Sequence, residues 1–254
     1  MNTINKDDQL TLTKVFLRKI GLLFLFVIAL YFDGTHFASI YPHAQLVTNC
    51  FMIVFFFILY YRSVKRTREL MIYGVILGFM GEYLFSILLN MYTYRLENLP
   101  LYIPFGHAAV YARTFSFSKN STVRKHQAII TKWFSIIIIS LATIYLLLFK
   151  DIFGFVMTIG VFVMLIKRPK DRVFFLTMYI VVAVLEIGGT AYSTWSWPST
   201  AFGIFTFLES NNPPSGISLF YFLLDIGCFV LYTQINKTTW QRYQLIHKGN
   251  PKLD

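Results

Sequence analysis

Eight apolar runs divide the chain, at residues 20–32, 46–61, 70–91, 101–117, 128–149, 152–166, 173–192 and 217–235, with polar segments between them. A helix crossing the ~30 Å hydrocarbon core of a bilayer needs about 20 apolar residues, and most of the runs approach that length. The first, second and sixth are shorter, and the first borrows residues 15–17 if Arg18 and Lys19 snorkel to the interface. The pattern predicts an all-α polytopic membrane protein of about eight transmembrane helices, forming a single integral membrane domain over 1–254. An alternative for the first run is a signal-peptide core with Ala38 or Ala44 near the cleavage site, but the flanking residues are not small enough.

Charge turns this list of runs into a topology. Of the 23 Lys and Arg residues, only Arg95 and Lys150 fall outside one alternating set of inter-run segments, with Arg113 and Lys132 near the run ends assigned to that set. Short loops rich in Lys and Arg mark the cytoplasmic side. The expectation is therefore that both termini are cytoplasmic, together with segments 62–68, 119–125 and 167–172 and the tail bearing Lys237, Arg242, Lys248 and Lys252. The membrane expected is the bacterial cytoplasmic (inner) membrane. The net charge of +11 is spread over separate short segments beside apolar runs. That placement fits anionic membrane lipids as partners and argues against nucleic acid. Cys50 and Cys228 both sit inside apolar runs and read as packing residues. No oligomeric state is specified.

An internal correspondence emerges from the charged positions. Glu82 follows Arg68 by 14 residues, and Glu186 follows Arg172 by the same interval. Tyr92-Thr93-Tyr94 follows the first glutamate and Trp195-Ser196-Trp197 the second, and the turns Asn98-Leu99-Pro100 and Asn212-Pro213-Pro214 come after them. These matches predict two parallel four-helix repeats, 1–125 and 126–254.

Candidate chemistry lies inside the apolar runs, where an ionisable group is costly and marks a working site. Four groups qualify: Glu82, His107, Glu186 and Asp225. Each lies a similar distance from one end of its run, about 8–14 Å at 1.5 Å per helical residue, so one buried cluster is expected. Glu82 shares its helix face with Gly74, Gly78 and Ser86, and Glu186 with Ala183, Gly189 and Thr190, so both point toward close helix contacts. Tyr94, Tyr111, Trp195 and Trp197 are expected to wall the cavity, with Asn212 at its mouth, as substrate-binding residues. The plainer alternatives are that the acids only tie helices together and that the aromatics form an interfacial belt. No phosphate loop, zinc spacing or nucleotide fingerprint is present, so the sequence specifies no metal and no cofactor.

The stretch Glu186-Ile187-Gly188-Gly189-Thr190, Trp195-Ser196-Trp197, Asn212-Pro213-Pro214-Ser215-Gly216 and Asp225 resembles a class of uncharacterised bacterial multipass membrane proteins, with Asn98 to Pro104 and Gly106-His107 as the matching first-half motif. More remotely, Glu82, Tyr92-x-Tyr94 and Leu99-Pro100 are similar to membrane carotenoid enzymes, the heterodimer-type lycopene cyclases and related hydratases. That likeness implies an intramembrane carboxyl that protonates a polyene. The cyclases' Pro-x-Glu-Glu motif is replaced here by Asn-Pro-Pro-Ser. The function expected is acid/base catalysis by Glu82 and Glu186, with His107 and Asp225, on a lipid-soluble, isoprenoid- or lipid-like small molecule. A proton-coupled transporter of small solutes and a non-catalytic membrane scaffold or assembly subunit are the alternatives.

Overall fold

The computed structural model describes residues 5–238 and 241; Arg242, Lys248 and Lys252 of the expected basic tail lie outside the described residues. The architecture is all-α. The elements in order are α1 (Lys6–Lys19), α2 (Phe24–Asp33), α3 (Thr35–Ile40), α4 (Ala44–Tyr61), α5 (Lys65–Glu82), β1 (Thr93–Tyr94) and α6 (Tyr102–Ser118). They continue with α7 (Ser121–Lys125), α8 (Gln127–Phe149), α9 (Ile152–Ile166), α10 (Arg172–Ala191), β2 (Trp195–Ser196), β3 (Thr200–Ala201), β4 (Phe205–Glu209) and α11 (Ser218–Ile235).

Helix ends follow local chemistry. The Asn5 side chain accepts from the Asp8 amide at 2.7 Å to start α1, which carries Asp7 and Asp8 in its first turn and Arg18 and Lys19 in its last, complementing the helix dipole. Arg113 reaches across to the carbonyl oxygens of Lys19 (2.7 Å) and Arg18, satisfying acceptors that the end of α1 leaves open. Lys150, one of the two charge-pattern exceptions, is the left-handed C-cap of α8 (φ 56°), and Asp151 then caps α9 through the Gly154 amide at 3.2 Å.

Among the described residues, six helical stretches are long and apolar enough to cross a membrane: Lys6–Ile40, Ala44–Tyr61, Lys65–Leu88, Gln127–Phe149, Pro169–Ala191 and Ser218–Ile235. At 15 residues α9 is shorter, and α6 has 17. The apolar helices are compatible with a multi-pass membrane protein. Most of the 20 residues of α10 are buried, whereas α8 buries only Ile138 and Ala142 and exposes Ile139, Leu147 and Leu148. Large apolar side chains exposed along a whole helix are stable against lipid tails and unstable against water. Thus α10 runs through the bundle, and α8 lies at its edge.

Four helices make the centre: α5 packs on α6, α10 on α11, and the pairs meet through α5–α11 and α6–α10. Small residues permit the tightest contact. A Cβ on Gly74 would lie 3.2 Å from the Ala108 backbone, and one on Gly78 would touch His107.

Two departures from the sequence reading shape the site. The third run is not one uniform helix: α5 ends at Glu82 and continues as a π-helical stretch over Tyr83–Leu88, a wider winding that recurs at functional sites. The segment 193–216, between the seventh and eighth runs, adds short strands to the expected all-α pattern. It contributes β2 to an antiparallel pair with β1, Thr93 opposite Ser196 and Tyr94 opposite Trp195, and folds β3 against β4 beside it.

Candidate functional site

The β1–β2 pair sits at the end of the four-helix centre where α10 finishes and α6 and α11 begin. Alternating side chains of a strand point to the same face, so Tyr92 and Tyr94 turn together, as do Trp195 and Trp197. Each aromatic pair closes on one glutamate. The hydroxyls of Tyr92 and Tyr94 both donate to Glu82 Oε2, the latter at 2.5 Å, and His107 Nε2 lies 2.8 Å from Glu82 Oε1. The indole N–H groups of Trp195 and Trp197 donate to Glu186 Oε2 at 2.8 and 3.1 Å, and the Tyr221 hydroxyl donates to Glu186 Oε1 at 2.9 Å. Both glutamates are buried. Glu186 is enclosed by three donors, and Glu82 by two hydroxyl donors and the His107 imidazole, which compensates most of the cost of removing a carboxyl group from water.

The two clusters touch. Tyr92 and Trp197 pack at 4.4 Å between ring centroids, and His107 stacks on Tyr221 at 4.5 Å with 23° between ring planes. Glu82 and Glu186 line one cavity of about 30 Å³, together with Tyr94, His107, Trp195 and Trp197. By the measure in which one water needs roughly 10–15 Å³, that space takes about two or three water molecules. A second cavity of about 60 Å³ adjoins it, sharing Ile103, His107, Trp195 and Tyr221 with the first. Its wall is mainly apolar, with Phe26, Met52, Val110 and Met178, and it also holds Asp225.

The expected four-group cluster is therefore divided. Glu82, His107 and Glu186 share the polar cavity, while Asp225 opens into the apolar one on the other side of His107. Of the expected wall residues, Tyr94, Trp195 and Trp197 line the polar cavity. Tyr111 lines neither. It packs with Phe115 (6.0 Å) and Phe174 (5.5 Å) in an aromatic layer nearer the other end of the bundle, because helix periodicity puts it one turn beyond His107. Asn212 is also a positioning residue and not part of either wall: its Oδ1 accepts from the Trp197 backbone amide at 2.9 Å.

Two residues of the site carried signals that the charge pattern alone does not weigh. Tyr221 lies one helical turn before Asp225, on the same face of α11. Tyr92 belongs to the aromatic pair on which the expected repeat rests but supplies a donor of its own. The close approach of Trp195 to α10 also depends on Gly189, where a Cβ would come within 2.1 Å of the indole ring.

Two buried aspartates brace the strand pair. Asp33 is fully buried and pairs with Arg95 at 2.5 Å, while Tyr102 donates to its other oxygen at 2.9 Å. This pair accounts for Arg95, the other exception in the charge pattern: its charge is matched inside the fold. Asp151 takes the backbone amides of Asn211 (3.1 Å) and Ser215 (2.7 Å), tying the approach to α11 onto the start of α9.

No family model, curated protein or solved structure matches this chain. Among the described residues, no group of three His, Cys, Asp or Glu side chains is placed to hold a metal ion. What the site offers is a carboxyl–imidazole pair between a polar and an apolar cavity, and that arrangement can give or take a proton.

Proposed function

We propose that this protein is an enzyme of the bacterial cytoplasmic membrane that performs proton transfer on a lipid-soluble, isoprenoid- or lipid-like substrate. In this reading all eight apolar helices cross the membrane, α6 and α9 included, and both termini lie in the cytoplasm. The two halves act as parallel repeats whose glutamates meet near the outer surface. The observation that carries the reading is the 2.8 Å contact of Glu82 with His107, whose ring lines both cavities. A substrate in the apolar cavity meets the imidazole, and the imidazole exchanges its proton with a buried carboxyl group. Glu186, held by three neutral donors, has the complementary task of fixing Tyr221 and the two tryptophans around the reacting group. The resemblance to membrane carotenoid enzymes supports the same chemistry, a carboxyl within the membrane acting on a lipid-soluble molecule.

One observation favours an enzyme over a proton-coupled transporter. The rings of Tyr111, Phe115, Phe174 and Phe175 pack against one another, and none of them lines either cavity, which suits a site that opens to lipid better than a path between two aqueous faces. The test is mass spectrometry of lipid extracts from cells with the protein, without it, and with Glu82→Gln. A species that appears or disappears with the wild-type chain, and reverts in the variant, is the expected result. Identical extracts from all three strains would remove the enzyme reading.

A further inference from the structure

Asp225 is buried, and its Oδ2 takes no hydrogen bond from any described residue. The hydroxyl and indole donors on the wall of its cavity are already engaged, as is one nitrogen of His107. Thr48 donates to the Ala29 carbonyl (3.1 Å), Tyr102 to Asp33 (2.9 Å), and Tyr221 and Trp195 to Glu186 (2.9 and 2.8 Å), while His107 Nε2 meets Glu82. No Lys or Arg lines the cavity. Buried polar groups in folded proteins are paired, and a carboxyl oxygen left over beside open space calls for a donor from outside the chain.

Three features define that donor. It has to satisfy an acidic oxygen with no counter-ion near it, which an ammonium group does and a neutral alcohol does only in part. It sits among aromatic rings, those of His107, Tyr102, Tyr221 and Trp195, and such surroundings attract cations. The cavity of about 60 Å³ takes a small head group and its first carbons, and Phe26, Met52 and Met178 offer the wall for an alkyl chain.

We propose that the apolar cavity binds the primary ammonium head of a lipid-soluble amine, with Asp225 as its counter-ion. The inference rests on the acid/base reading above and names its substrate class. Because His107 lines both cavities, the bound head lies one imidazole ring away from Glu82.

The experiment is thermal unfolding of the purified full-length protein in detergent, titrated with n-hexylamine or with n-hexanol at neutral pH. The amine is expected to raise Tm saturably by about 2–5 °C, and the alcohol to leave it unchanged. Asp225→Asn is expected to abolish the amine response and Glu82→Gln to keep it. If Asp225→Asn does not purify, Ala29→Leu fills the cavity while leaving the carboxyl in place, and it should likewise abolish the response. Equal responses to amine and alcohol, or an amine response undiminished in the Asp225 or Ala29 variant, would overturn the proposal. The readout involves no turnover, so an amine response alongside unchanged lipid extracts would count against the enzyme reading alone.

Discussion

Tyr92 and Trp197 pack ring against ring, 4.4 Å between centroids, while each donates its polar hydrogen to a different buried glutamate. Tyr94 and Trp195 repeat the relationship at 6.1 Å, with Thr93 and Ser196 opposite each other in the ladder. The two carboxyl groups are thus mechanically joined: moving one aromatic pair disturbs the donors of both acids.

This coupling has a measurable form. Trp197→Phe removes one donor to Glu186, and a hydrogen bond contributes about 0.5–1.5 kcal/mol, more where its partner is charged. The loss should shrink markedly when Glu186 is already Gln. A double-mutant cycle from thermal melts should give a coupling energy of about 0.5–3 kcal/mol, and additive losses would show that the contact is inert.

Arg95→Ala should be severe for an unrelated reason. It leaves Asp33 buried without its cation, and breaking a buried pair from one side costs about 3–5 kcal/mol. Adding Asp33→Asn should restore part of that stability, since the amide keeps a hydrogen bond to Tyr102 and carries no charge. Unfolding in detergent measures both steps, and a double variant no better than the single would show that the charge is not the cause.

Glycine positions give a paired test. Gly189→Ala places a methyl group into the Trp195 ring and should destabilise by about 1–3 kcal/mol, the usual cost of overpacking. Gly21→Ala meets only the Leu17 side chain at 3.7 Å, an ordinary contact, and should fall within about 0.5 kcal/mol of wild type. Similar melts for the two would mean that Trp195 does not depend on the glycine.

Topology is testable without purification. Reporter fusions after Lys125 and after residue 205 should lie on opposite sides of the membrane, cytoplasmic and external respectively. The same sidedness at both sites would overturn the eight-crossing arrangement.

The sequence by itself determined the class of the molecule. A chain 56% hydrophobic and 14% charged, in continuous apolar runs about 13–22 residues long, fits helices in lipid, because only helices and closed barrels satisfy their own backbone there and barrel strands alternate apolar with polar residues. The run boundaries are legible for the same reason: α9 coincides with the sixth run, and α6, α8, α10 and α11 agree with theirs within a residue at each end. Glu82, His107 and Glu186 also stood out, since burying an ionisable group is conspicuous against an apolar background. What only the tertiary structure decided is how these groups meet. The pairing of Thr93 with Ser196 and the neutralisation of Arg95 by Asp33 join residues 103 and 62 positions apart, and His107, on the wall of both cavities, reaches Glu82 across 25. Such contacts depend on the packing of α5, α6, α10 and α11 together, and a pattern read along one helix at a time has no term for the space between helices. The same limit explains Tyr111 and Asn212: chain position put both beside the site, and the direction of their side chains placed one in an aromatic layer and the other on a strand's backbone.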